Sequence, residues 1–244
     1  MLFRSLWDLP SDRRHRSKQT RPLASGAMSI RQGMLLALVS MTAAYALASR
    51  AGLDAVAVLS LYIAMTLGYS FFVKRMPVLD VFMLACLFTV RLGFGIVLAD
   101  VRLSPWILVF SMFVFLSLSL AKRHTEIVRL PSEAKDAAHG RGYVAGDAPF
   151  TLGMGLASML GAVLIVVLYL IEDAFPRPFY ANPEFLWAVP PILFLFLARV
   201  WLFAQRGLLH DDPVAFALKD RVCLVLGFLM SIAVAAAIGK FGAV

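Results

Sequence analysis

Charge and cysteine are scarce in this 244-residue sequence, and both shortages exclude function classes. Only 16% of its residues are Asp, Glu, Lys or Arg, against 61% that are hydrophobic, so a water-soluble fold of ordinary composition is ruled out. The two cysteines, Cys86 and Cys223, both sit inside apolar runs. They offer neither a disulfide framework nor a thiolate metal site and read as small core hydrophobes. His15, His124, His139 and His210 lack the HxxxH-type spacing of a helical zinc site. The chain has no low-complexity segment and no visible inverted repeat of the kind found in many transporters. Its first residues hold no continuous apolar stretch, since Arg4, Asp8 and Asp12 interrupt it, so a cleaved signal peptide is not expected.

What the chain does have is long apolar runs. Runs able to cross a hydrocarbon core of about 30 Å, which needs about 20 helical residues, fall near 29–49, 53–73, 79–99, 104–121, 149–171, 185–205 and 222–241. None alternates with a period of two over ten residues, so the expected class is all-α, a polytopic transmembrane helical bundle, with 1–244 forming one domain and 1–28 a polar segment ahead of it. A net charge of +8 would suit a nucleic-acid binder, but the basic residues are not spread over a surface. They collect in alternate connections: Arg4 to Arg21 before the first run, Lys74 and Arg75, then Lys122 to Arg141, then Arg206, Lys219 and Arg221. The intervening connections carry Arg50, Arg102 and Arg177 alone. By the positive-inside rule the basic side, including the start of the chain, is cytoplasmic, and no nucleic-acid partner is expected.

Polar chemistry therefore concentrates on one membrane face. The stretch DLPSDRRHRSKQTRPLASG, residues 8–26, places Asp8 and Asp12 four apart, a spacing at which two carboxylates on one helix face could hold a hard cation such as Mg²⁺. Arg13, Arg14, His15, Lys18 and Arg21 follow and could bind phosphate oxygens, although a juxtamembrane basic segment that only sets topology explains the charge equally well. A second feature is YSFFVKRMPVLD, with Tyr69, Lys74, Arg75 and Asp80 around an interhelical turn. Third are Lys122, Arg123, His124 and Glu126, followed by Arg141 and Tyr143, all in an expected surface loop. Fourth is ARVWLFAQRGLLHDDPVAFALKDR, with Arg199 about two turns inside its span. Arg91 lies deeper still, and an Arg at the centre of a span costs about 2.5–3.5 kcal/mol, so it calls for a partner or a wet cavity. Trp106 and Trp187 near span ends fit an interfacial aromatic belt.

Taken in order, these stretches resemble the UbiA superfamily of membrane prenyltransferases, whose first signature is NDxxDxxxD followed by basic residues and RP-L-A-S-G. The likeness runs through YSFFVKRMPVLD with FTVRLGFG, LSLAKRHTEI and RGLLHDDPVAFALKDR. The KR-E and DPV-FAL-DR elements are most similar to the decaprenyl-phosphate phosphoribosyltransferase branch, and the loop 122–148 has no DxxxD motif of the aromatic prenyltransferases. The family's Asn-Asp pair falls here on Arg4 and Ser5, and its nine helices compare with seven here, so the resemblance implies a chain lacking the first two helices.

The resemblance further implies Mg²⁺ held by Asp8 and Asp12, catalytic roles for Lys74 and Arg91, and substrate binding by Arg13, Lys18, Arg21, Tyr69, Lys122, Arg123 and Arg199. The implied reaction moves 5-phosphoribose from phosphoribosyl diphosphate to a lipid phosphate, at the cytoplasmic face of a bacterial inner membrane. Two alternatives stay open: prenyl transfer from a prenyl diphosphate to an aromatic or other acceptor, and a non-catalytic lipid-binding protein or inactive remnant.

Overall fold

The computed structural model describes residues 22–130, 142–176, 178–209 and 212–239, and among them there is no β-strand. Eight α-helices follow in chain order: α1 Ile30–Ala51, α2 Leu53–Phe71, α3 Leu79–Leu98, α4 Pro105–Val128, α5 Ala148–Tyr169, α6 Val189–Gln205, the short α7 Pro213–Ala217, and α8 Arg221–Ile238. Single-turn 3₁₀ segments at Val73–Arg75 and Ala145–Asp147 and a longer one at Pro183–Ala188 join them, and α5 runs on into a π-helical turn, Leu170–Ala174. Seven of these helices are long and apolar enough to cross a membrane, and the chain is an integral membrane protein.

The described residues fall into two compact units. One is drawn from Met1–Ser70 and Phe94–Val101, the other from Phe71–Gly93 and Arg102–Val244. In the smaller unit, Ser29 starts α1 with a capping box: its hydroxyl accepts from the Gln32 amide at 3.2 Å while the Gln32 side chain accepts from the Ser29 amide at 3.0 Å. Gly52, at φ +115°, turns the chain into α2, and Tyr45 and Ser60 hydroxyls 3.1 Å apart tie the two helices together. Most leucines of α1 face outward, Leu35, Leu38 and Leu47 among them, as a lipid-bathed helix allows.

The larger unit is built on α4, α5 and α6, with α8 packed on α6. Lipid tails are as apolar as leucine, so close helix approach and interhelical hydrogen bonds must drive this packing. Both are present at one level of the bundle. Gly155 on α5 lies under the Trp201 indole so closely that a Cβ there would fall 1.9 Å from Cζ2. The indole Nε1 donates to Ser117 Oγ at 2.9 Å, and that hydroxyl donates to the Gly155 carbonyl at 3.0 Å. Leu120, Leu197 and Val200 close the core around this contact. Helix α3 meets α4 through longer side chains: Phe88 stacks on Phe115, Ser111 donates to Thr89, and the Cys86 and Met112 sulfurs lie 3.9 Å apart. Both cysteines are free, Cys223 buried and Cys86 half-buried.

The helix positions agree with the apolar runs, with one instructive difference. Helix α4 continues seven residues beyond the expected end at 121, so Lys122, Arg123, His124 and Glu126 are helical rather than part of a loop. The apolar pattern stops at Lys122 because the side chains become charged, but the backbone ladder has no reason to stop while those charges find partners.

Candidate functional site

The charged end of α4 meets the turn between α2 and α3 in a buried network. Pro77 cannot continue the preceding 3₁₀ turn, and the chain reverses at Val78 in a three-residue turn in which the Leu79 amide donates to the Pro77 carbonyl at 2.8 Å. Val78 takes φ +70°, a conformation that is strained for a β-branched residue. Such strain persists where the surroundings over-determine it. Here they do: the Val78 amide donates to the Tyr143 hydroxyl at 2.7 Å, and that hydroxyl donates to Asp80 Oδ1 at 2.7 Å. Two residues on, Asp80 sits in the first turn of α3, fully buried, and its Oδ2 accepts from Arg123 Nε at 2.9 Å. Arg123 Nη1 also donates to Glu126 one turn further along α4.

Gly142, just before Tyr143, completes the contact. It takes φ +78°, and a Cβ at that position would lie 2.8 Å from the Arg75 carbonyl oxygen and 3.0 Å from Pro77 Cδ, so only glycine lets these backbones approach. Burial, and then the hydrogen bond to Asp80, push the Tyr143 phenol well above its ordinary value, so it is a neutral donor at any physiological pH.

A second polar layer lies beside the first. His124 contacts Thr151 Oγ1 through Nδ1 at 3.0 Å and Gln205 Oε1 through Nε2 at 2.6 Å, which links α4 to α5 and α6. Arg129 Nε and Nη2 donate to the Gly207 and Leu209 carbonyls, tying the end of α4 to the segment that follows α6. Arg199 makes a two-pronged contact to Asp220, at 2.6 and 2.8 Å, and Asp220 Oδ1 accepts the Cys223 amide as the N-cap of α8. The guanidinium, with smaller help from the cap, holds the Asp220 carboxyl far below the usual carboxylate range.

The candidate residues from the sequence are distributed as follows. Lys74 is half-buried on the 3₁₀ turn immediately ahead of this network, Arg123 is at its centre, and Lys122 is half-buried beside Arg123 on α4. Tyr69 is buried at the end of α2. Arg91 is exposed on α3, with its guanidinium 5.5 Å from the centre of the Phe88 ring, and lies about 16 Å along the helix from Asp80. Arg199 is engaged with Asp220, away from the network. Asp8, Asp12, Arg13, Lys18 and Arg21 lie outside the described residues. Among the described residues, no group of three or more His, Cys, Asp or Glu side chains could hold a metal ion. Asp80, Glu126 and Tyr143 were visible in the sequence as parts of motif stretches but did not stand out as site residues. Their signal is the burial of a carboxylate and a guanidinium together, which a sequence does not display.

Comparison with known proteins places this arrangement. The model of the UbiA prenyltransferase family matches residues 1–219. The chain is 40% identical over 230 residues to the uncharacterized protein y4nM of Sinorhizobium fredii (strain NBRC 101917 / NGR234), covering 94% of this chain and 45% of that protein. It is 28% identical over 228 residues to the nodulation protein NoeC of Azorhizobium caulinodans, covering 92% of this chain and 73% of NoeC. It is 29% identical over 231 residues to the decaprenyl-phosphate phosphoribosyltransferase of Mycolicibacterium smegmatis, covering 90% of this chain and 69% of that enzyme. The chain thus spans less than half the length of y4nM. With the family model matched over most of its length and the seven apolar helices in place, the chain belongs to the UbiA prenyltransferase family.

Proposed function

We propose that the protein is a membrane transferase that moves 5-phosphoribose from phosphoribosyl diphosphate to a polyprenyl phosphate, working at the cytoplasmic face of a bacterial inner membrane. The observation that carries this reading is the burial of Asp80, Arg123 and Tyr143 together at the end of the larger unit, with Lys74 and Arg75 on the adjoining turn and Lys122 next to Arg123 on α4. Cations carried on the elements that a buried polar network holds in place suit a diphosphate leaving group. Similarity to the decaprenyl-phosphate phosphoribosyltransferase of M. smegmatis supports phosphoribosyl diphosphate as the donor.

In this reading a lipid phosphate oxygen attacks the anomeric carbon, the bond from that carbon to the diphosphate oxygen breaks, and diphosphate leaves with the electron pair. Lys74, with Arg13, Lys18 and Arg21, offsets charge gathering on the leaving group. Lys122 and Arg123 frame the same end, while the substrate-binding role of Tyr69 and the catalytic role of Arg91 rest on the family resemblance alone. Arg199, turned to Asp220, enters only as a support of the contact between α6 and α8. Asp8 and Asp12 would hold Mg²⁺, which when bound draws charge from the diphosphate.

The test uses the full chain in membrane vesicles, supplied in parallel with labelled phosphoribosyl diphosphate plus a polyprenyl phosphate, or with a labelled prenyl diphosphate. Label from phosphoribosyl diphosphate should pass into the organic-soluble lipid, and Asp12→Asn should abolish this. Label passing only from the prenyl diphosphate would make the protein a prenyl donor enzyme instead, as the family description allows. Label from neither would overturn the reading.

A further inference from the structure

Resting on that reading, we infer that Tyr143 is a positioning residue: its hydroxyl locks the turn that carries Lys74 and so sets the place of that ammonium against the diphosphate. Three independent contacts converge on the segment 73–80, and all involve Tyr143 or the residue before it. The hydroxyl accepts from the strained Val78 amide, it donates to Asp80, and Gly142 lays its bare Cα against the Arg75 carbonyl. Arg123 then fixes the other oxygen of Asp80, so the phenol acts on a carboxylate that cannot rotate away.

The geometry assigns the work to the hydroxyl rather than to the ring. A phenylalanine would fill the same buried space but would leave the Val78 amide without its acceptor and Asp80 Oδ1 without its donor. Val78 would then have reason to leave the left-handed region, because strain of this kind survives only where hydrogen bonds over-determine it. Relaxation there swings the turn four residues upstream, where Lys74 sits. An ammonium that must meet a developing negative charge tolerates little displacement, and an error of about 1 Å can lower turnover about a hundredfold.

The test reads turnover and local opening separately. In Tyr143→Phe, kcat per folded protein should fall about tenfold or more while KM for the lipid phosphate stays unchanged, because the proposed reading gives the turn to the diphosphate and not to the acceptor. Hydrogen exchange of the peptide covering 73–82, measured without any substrate, should become about tenfold faster, while a peptide covering 182–189 at the opposite end should not change. Gly142→Ala should move the same two readouts, since its Cβ would push on the Arg75 carbonyl. Unaltered exchange over 73–82 in both variants overturns the inference, and so does accelerated exchange with kcat within about twofold of the parent. Turnover is measured with whichever donor the parent protein uses. If the parent uses neither, the proposed function fails, while the exchange measurement still decides whether Tyr143 holds the turn.

Discussion

At one end of the larger unit, charges are matched to one another: Arg123 and Asp80 are taken out of water together, Arg123 also meets the half-buried Glu126, and a half-buried Arg199 meets Asp220. At the other end, neutral groups make several of the contacts that close the bundle. The Asn182 amide donates to the Ala237 carbonyl at 3.1 Å, its side chain to the Gly239 carbonyl at 2.8 Å, the Tyr169 and Tyr180 hydroxyls lie 2.9 Å apart, and Leu170, Ala174, Leu186 and Ala237 cluster beneath them. Neutral caps are thus enough to satisfy helix ends and close a bundle. Burying an Arg and an Asp is the more expensive solution, since desolvating two ions can outweigh their attraction. Among the described contacts, a fully buried Arg–Asp pair is found at the end of α4, which marks that end as a place where charge serves more than closure.

The largest effect that would break this contrast is expected at Asp80. Asp80→Ala leaves Arg123 buried with Glu126 as its remaining carboxylate and Tyr143 without its acceptor, and should destabilise the protein by about 3–5 kcal/mol, read from denaturation in detergent. Replacing the pair together, Asp80→Leu with Arg123→Met, should restore most of that stability. Turnover should nevertheless stay lost. Recovery of stability without recovery of turnover would show that the pair is retained for its chemistry and not for its contribution to folding.

A smaller loss is expected in the middle of the bundle, where no charge is involved. Gly155→Ala drives a methyl into the Trp201 indole and should cost about 1–3 kcal/mol from overpacking. It should lower thermal stability with little change in the pH dependence of turnover, which separates packing from the polar end.

The pH response of that end has two limbs of opposite sign. Asp220 has its carboxyl held low by Arg199, so its contribution is complete above the unfolded value of about 3.9 and fades only as pH falls toward the folded value. Tyr143 has its phenol raised by burial and by Asp80, so its contribution is complete below about pH 10 and fades as pH rises beyond that. Stability measured across pH should therefore hold a plateau between about pH 4 and 10 as far as these two groups decide it. Asp220→Asn should flatten the acid limb, and Tyr143→Phe the alkaline limb.

Much of the fold was legible because crossing a membrane imposes a length and a composition that apolar runs display directly. The end of α4 was not, because a charged triplet looks like the end of a span. Whether Arg123 and His124 remain helical depends on partners 43 and 81 residues away, Asp80 and Gln205. The same separation hid the network: Asp80 and Tyr143 each stood in a visible motif, but their hydrogen bond spans 63 positions and no periodicity encodes it. Arg91 shows the converse. Its depth in α3 could be counted from the sequence, but what its exposed side chain faces could not. For Arg199, likewise, the two-turn depth was visible, while the pairing with Asp220 across α7 was not.

The smallest effect is expected at the end that holds Asn182, and it bears most directly on the contrast. Asn182→Ala removes side-chain bonds to the carbonyls of Ala236 and of Gly239, the residue that caps α8, but leaves the Asn182 backbone amide on Ala237. The freed carbonyls lie at a helix terminus where water can replace the lost donor, so the cost should be about 0.5–1.5 kcal/mol. Turnover per folded protein should be unchanged, since Asn182 caps the end of the unit opposite Lys74 and the Asp80 network. A drop in turnover on the scale expected for Tyr143→Phe would mean that the end that holds Asn182 is coupled to the one that holds Asp80 through α8 and α6. The two ends would then be parts of one device rather than a site and a closure.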